Sequence, residues 1–139
     1  MEYYGLRISG KDIDLIADEQ DVVALIKMYP DRVKDLYCDL GVCPFEFEIW
    51  RSVQLFRYND LIANAIEEKD YFVISLEKLL LLKSLVMKEE KYRNDVDLIG
   101  KHISDTQAKK YSMEKQRVEN LLTNVNIKTY IEKTGPNII

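Results

Sequence analysis

The segment Asp12-Ile13-Asp14-Leu15-Ile16 places two carboxylates at alternate positions of an apolar run that is rich in β-branched residues. Because successive side chains of a strand point to opposite faces, Asp12 and Asp14 share one face, opposite their apolar neighbours. Two like charges side by side repel unless a cation lies between them. A hard divalent ion such as Mg²⁺ commonly relieves this repulsion, since it binds carboxylate and phosphate oxygens. The alternative is an ordinary solvated strand end that carries two acids.

The composition narrows the class of protein. A chain of 139 residues that is 47% hydrophobic is expected to form one domain with a core of its own. A net charge of −4 gives no general attraction to nucleic acid or to a membrane. Two cysteines, Cys38 and Cys43, indicate neither a disulfide framework nor a zinc site. The longest apolar run, at 79–82, is too short to span a bilayer, and we expect a cytoplasmic protein without a signal peptide.

The first half of the chain predicts short strands with one clear helix. We expect strands at 12–17, 33–40 and 45–50, and a helix at 19–29 that Asp18 caps and Pro30 ends. Phe45 to Trp50 alternates, so Glu46 and Glu48 share a face. The pattern predicts an α+β fold in which a small mixed sheet of three or four strands is packed with helices.

The second half predicts helices from residue 75 onwards. Ser75 caps a helix at 76–87, which is apolar almost all round and is therefore expected to be buried. A second helix is expected at 91–103, and Ser104 with Gln107 indicates a capping box that starts a last, polar helix ending near Val125. Its apolar positions form only a thin seam. We expect one domain over 1–125 and a loosely ordered tail over 126–139.

Lys83 lies in the expected buried helix, where an unpaired ammonium is costly. Asp95 borders the apolar stripe of the next helix and is the natural partner. The pattern therefore predicts a Lys83–Asp95 ion pair, or a Lys83 that faces an acidic cleft formed around Asp12 and Asp14.

Two segments together resemble the nucleotidyltransferase superfamily with the polymerase-beta-like fold, in its minimal, toxin-antitoxin-type form. The stretch GLRISGKDIDLIADEQD is similar to the metal-binding strand of that group, whose members often carry an Arg and a Ser before Asp-h-Asp, where h is an apolar residue. The stretch ISLEKLLLLKSLVMKEEKYRNDVDLI looks like its C-terminal helical segment. Their order and spacing cover much of residues 5–103.

The resemblance implies a nucleotidyltransferase-like domain that moves a nucleoside monophosphate from a nucleoside triphosphate to a hydroxyl acceptor, with Mg²⁺ or Mn²⁺ as cofactor. Asp12 and Asp14 match the metal-binding pair, and a third catalytic, metal-binding acid is expected at Glu48, with Glu46 as the alternative. Lys83 would face the phosphates. A nucleic acid acceptor fits the family, although the net charge does not support it.

The chain departs from the family in its phosphate-binding turn. Active members carry a Gly-Gly or Gly-Ser turn on an upstream strand. The candidates for this phosphate-binding turn here are Gly5 and, preferred, the pair Ser9 and Gly10, but they lie too close to Asp12 for the usual spacing. The alternatives are an incomplete start, or a reduced member that either is catalytically inactive and acts as a protein-interaction or regulatory module or is completed by a second chain. In either case we expect a homodimer in which residues 3–8 and the helix at 104–125 contribute to the interface. A further alternative is an α/β domain unrelated to this superfamily.

Overall fold

The computed structural model of the protein describes residues 1–125, so the tail expected at 126–139 lies outside the described residues. The chain divides into two compact units, Met1–Val96 and Asp97–Ile139. The described part of the second unit is the latter portion of a helix that spans Glu90–Asn124. The single domain over 1–125 stays a prediction.

A four-stranded mixed sheet forms the centre of the first unit. Its strands are β1 (Ile13–Ile16), β2 (Val33–Leu36), β3 (Asp39–Val42) and β4 (Phe47–Trp50), in the spatial order β1-β4-β3-β2. β1 runs parallel to β4, whereas β3 is antiparallel to both β4 and β2. The expected α+β class with a small mixed sheet is confirmed, and β1, which carries Asp14, lies directly beside β4, which carries Glu48.

Residues 1–125 also contain four α-helices, of which α2 is a single turn. The helices are α1 (Glu19–Met28), α2 (Tyr58–Leu61), α3 (Leu76–Ser84) and α4 (Glu90–Asn124), with a 3₁₀ turn at Pro30–Arg32. Two small hairpins pair β5 (Ser52–Val53) with β6 (Phe56–Arg57) and β7 (Ile66–Glu67) with β8 (Phe72–Val73). Asp18 caps α1 by accepting from the Glu19 amide, and Ser75 caps α3 by accepting from the Lys78 amide, as expected from the sequence.

In the core beside β3 and β4, the backbone of Gly41 lies close against the ring of Trp50. Gly41 lies opposite Trp50 in the antiparallel register, and a Cβ built on Gly41 would lie within 2.8 Å of the indole carbon Cδ2. Only glycine leaves this space for the ring, which is 6% exposed. Val22 of α1 and Val42 of β3 are fully buried in the same unit. The sheet therefore depends on a small residue at position 41.

Asp39 ties the sheet to the hairpin that follows it. Its carboxylate accepts hydrogen bonds from the Ser52 hydroxyl at 2.7 Å and from the Gln54 and Leu55 amides at 2.8 and 3.0 Å. Both turn residues, Gln54 and Leu55, have positive φ angles of 54° and 65°. Residues other than glycine rarely adopt positive φ, because it strains the backbone. The hydrogen bonds to Asp39 offset part of the energetic cost of this strain.

Two expectations about the helices are wrong. α3 has no buried residue, and Leu81 and Leu85 at its end are exposed. Consecutive leucines on a helix point in directions about 100° apart, so a run of them cannot all meet one neighbouring surface. Likewise, no helix begins at Ser104, because α4 runs without interruption from Glu90 to Asn124. That span contains no proline, and Gly100 alone costs only about 1 kcal/mol.

The first residues of the chain form turns, since the Gly5 amide donates to the Glu2 carbonyl and the Leu6 amide to the Met1 carbonyl. No strand includes residues 3–8. Over residues 1–125 we find no helix with the length and apolar character that crossing a bilayer requires.

Candidate acidic cleft

Asp14 and Glu48 are direct neighbours on adjacent parallel strands, since the register of β1 and β4 pairs Asp14 with Glu48. Neighbouring strands lie about 4.8 Å apart, and paired residues in a parallel register project from the same face. The fold therefore places two carboxylates side by side. Of the two candidates for the third acid, Glu48 is half-buried and within this pair, whereas Glu46 is exposed and precedes the strand.

The electrostatics of Asp14 reflect this arrangement. Loss of hydration, followed by the charge of Glu48 and then of Asp12, raises the pKa of the Asp14 carboxyl above its ordinary value. The ammonium of Lys83 acts in the opposite direction and lowers that pKa. Asp14 is an exposed residue, so its loss of hydration comes from neighbouring atoms and not from enclosure. A nearby cation would favour the ionised pair.

A cleft of about 300 Å³ opens beside Glu48 of this pair, whereas Asp14 is not among the residues that line it. Its lining combines acids, cations, a thiol and two aromatic rings, contributed by Asp12, Asp31, Arg32, Val33, Lys34, Cys43, Phe45, Phe47 and Glu48. The Lys34 ammonium lies 3.2 Å from Oε1 of Glu48, and this hydrogen bond raises the pKa of Lys34. Sequence reasoning missed Lys34, because its meeting with Glu48 depends on a strand order that no local pattern reveals.

The predicted Lys83–Asp95 pair is confirmed. Lys83 Nζ lies 3.1 Å from Oδ2 of Asp95, and the ammonium also lies 4.8 Å from the centre of the Tyr92 ring. Arg7 binds the same carboxylate with two donors, Nε at 2.6 Å and Nη2 at 2.9 Å. Asp95 is 1% exposed, and hydrogen bonding from Arg7 and then Lys83 holds its pKa at about 2.

Arg7 is a second residue to which sequence reasoning gave no role, although it lies in the LRIS segment that resembles the family. It anchors the start of the chain to α4 through Asp95. Lys83 is consequently shared: it pairs with Asp95 and it acts electrostatically on Asp14. Both groups belong to the first compact unit.

The expected phosphate-binding pair, Ser9 and Gly10, is exposed. The Ser9 amide donates to a carboxylate oxygen of Glu2 at 3.2 Å, and Gly10 has no heavy atom within 4 Å of the position a Cβ would take. No contact that the structure gives for residues 1–125 joins either residue to Asp14 or Glu48. Their role in binding phosphate stays a prediction.

The donor chemistry of Asp12, Asp14 and Glu48 fits a hard divalent cation, because all three supply anionic oxygens. Their present spacing is not yet that of a ligand set. In the described chain, up to residue 125, no group of three or more Asp, Glu, His or Cys side chains is close enough to hold a metal ion. A cation at Asp14 and Glu48 would draw its remaining ligands from water, from Asp12 or from a bound phosphate.

Comparison of the chain with protein-family models, with curated proteins and with solved structures gave no match.

Proposed function

We propose that the chain is a minimal nucleotidyltransferase-like domain whose acidic cleft binds Mg²⁺ or Mn²⁺ together with a nucleoside triphosphate. The observation that carries the proposal is the register of Asp14 against Glu48 on neighbouring parallel strands. Two carboxylates in this position repel each other, and the raised pKa of Asp14 reflects lost hydration first and this repulsion second. Binding a divalent cation would remove the repulsion.

The residues around the pair support a role with phosphates. A bound divalent cation would supply positive charge that offsets the negative charge developing on the phosphates during transfer to a hydroxyl group. Asp14 and Glu48 would hold it, and Asp12, which directly precedes β1, adds a third negative charge that acts on Asp14. Lys83 would supply positive charge on the side of Asp14, and Lys34 on the side of Glu48.

The Arg7–Asp95–Lys83 cluster supports the same proposal. Without Asp95, Lys83 would rotate freely or turn towards the nearest acid. Because Asp95 is also held by Arg7, its carboxylate is fixed in position and so is the ammonium it binds. Lys83 thus acts electrostatically on Asp14 while its ion pair is with Asp95.

Thermal unfolding with and without millimolar Mn²⁺ tests the metal site. Metal that binds only the folded protein at ten times its dissociation constant contributes about 1.4 kcal/mol, which is on the order of 5 °C in midpoint for a domain of this size. We expect this increase in the wild type and its loss in Asp14→Asn and in Glu48→Gln. Glu46→Gln should keep the increase if Glu48 is the third acid, and should lose it if Glu46 is.

Glu67→Gln is the matched control for Glu48→Gln, since Glu67 is an exposed glutamate on a strand outside the cleft. It should keep the full increase. A well-folded wild type whose midpoint does not change with Mn²⁺, or an equal increase in Asp14→Asn, would contradict the metal site.

The second candidate function is a catalytically inactive domain of the same fold that acts through protein association. One observation favours it: in the second unit, Met113, Val118 and Leu121 are exposed on α4, although they are apolar. A homodimer would cover such a surface. Light scattering at micromolar concentration tests this candidate, and a monomer at all concentrations would contradict the homodimer.

A further inference from the structure

Phe45 is an aromatic residue held in an unusual position at the edge of the acidic cleft. Its side chain is 84% exposed, and its φ angle is +56°, a region that side chains other than glycine rarely adopt. The Phe47 amide donates to the Pro44 carbonyl at 3.0 Å and closes a turn with Phe45 at its first central position. Glycine is the usual residue in a turn that needs positive φ there.

The turn is fixed from several sides, so the ring position is defined. Pro44 is buried, and the Cys43 amide donates to the Arg32 carbonyl at 2.9 Å. The Phe45 ring meets the ring of Tyr29 edge-on, with centres 6.3 Å apart and planes at 79°. An edge-on contact covers at most one face of a ring, so at least one face of the exposed Phe45 ring is open to a planar ligand.

The cleft that Phe45 lines has the features of a nucleotide site. Three acids (Asp12, Asp31 and Glu48) lie in it together with two cations (Arg32 and Lys34), and Phe45 and Phe47 supply apolar surface. A metal-bound polyphosphate would meet the acids and the cations. The attached base is planar and apolar on its faces, and it stacks favourably on an aromatic ring.

We infer that Phe45 is the platform on which the base of the nucleoside triphosphate stacks, with Lys34 and Arg32 contacting its phosphates. This inference rests on the proposed function, because it assigns the ligand of the same cleft. It adds a residue that determines preference for a nucleotide over a bare polyphosphate. Placing an apolar ring at a strained, solvent-exposed turn has an energetic cost, and stacking on a bound base would offset part of that cost.

The test compares ATP with inorganic triphosphate, both in the presence of Mn²⁺, by isothermal titration calorimetry. Stacking of one base changes affinity about tenfold or more. We expect the wild type to bind ATP at least about tenfold more tightly than triphosphate. Phe45→Asn removes the ring but tolerates positive φ, so it should fold and should bind both ligands with similar affinity. Phe45→Tyr keeps the ring and should keep the preference.

Tyr37→Asn is the matched control, because Tyr37 is 97% exposed and also has positive φ, at 54°, but does not line the cleft. It should leave both affinities unchanged. Equal affinities of the wild type for the two ligands, or a preference that survives in Phe45→Asn, would overturn the stacking role. If the protein binds neither ATP nor triphosphate but is still stabilised by Mn²⁺, this inference alone is overturned. If it binds neither ligand and is not stabilised by Mn²⁺, the proposed function is overturned as well.

Discussion

Replacing Asp95 by Asn tests the buried charge cluster that positions Lys83. The pKa of Asp95 is held at about 2 against an ordinary 3.8, which corresponds to roughly 2 kcal/mol of stability at neutral pH. Asp95→Asn also leaves the cations of Arg7 and Lys83 facing each other without an anion. Breaking a fully buried pair costs about 3–5 kcal/mol, but here both cations keep partial contact with water. We therefore expect a loss of about 2–4 kcal/mol.

Urea unfolding followed by Trp50 fluorescence measures this loss. Trp50 is the single tryptophan of the chain and is 6% exposed in the sheet, so its emission should change when the first unit unfolds. Asp97→Asn is the matched control, since Asp97 is an exposed aspartate on the same helix. It should change stability by less than about 0.5 kcal/mol.

The pH dependence gives an independent check on the same residue. Because the folded pKa of Asp95 is depressed, its contribution is fully present above the ordinary value of 3.8 and is lost as pH falls towards about 2. The stability difference between wild type and Asp95→Asn should therefore be constant above pH 4 and shrink below it. A variant within about 0.5 kcal/mol of the wild type at pH 7 would refute the reasoning.

Three further predictions concern packing and turns. Gly41→Ala should destabilise the sheet by about 2 kcal/mol or more and change Trp50 emission, because the added methyl group meets the indole ring; unchanged emission and stability would contradict this contact. Asp39→Ala should cost about 1–3 kcal/mol in urea unfolding, since it removes the acceptor for a hydroxyl and two amides of the next hairpin; a change below 0.5 kcal/mol would count against that role. The double variant Tyr37→Asn with Cys38→Gly should raise the thermal midpoint, because both positions have positive φ in a two-residue hairpin turn; a lower midpoint would show that the native side chains make stabilising contacts.

Features of the fold that depend on local patterns were predictable from the sequence. The alternation around Asp14 gave a strand, and the caps at Asp18 and Ser75 gave two helix starts. The Lys83–Asp95 pair followed from the cost of an unpaired charge in an apolar helix. Each of these depends on neighbouring residues or on a single energetic argument.

Features that depend on strand order and turn geometry were not predictable in the same way. The region 33–40, expected as one strand, is a hairpin whose turn lies at Tyr37 and Cys38, neither of which is a typical residue for positive φ. The contact of Lys34 with Glu48 arises from the order β1-β4-β3-β2. The expected cap at Ser104 failed because a local capping pattern does not break a helix whose backbone can continue.

Because β1 is an edge strand of the sheet, the charge of Asp14 also affects how readily the protein aggregates. Ile13 and Leu15 are partly exposed on this edge strand, a combination that invites another chain to add a strand. The charge of Asp14 opposes such addition, because a second copy in the same register would place its own acids alongside. Neutralising that charge, by substitution or by a tightly bound cation, lowers this barrier, so solutions of the Asp14→Asn protein should aggregate more readily than those of Glu48→Gln, whose substitution lies on an inner strand.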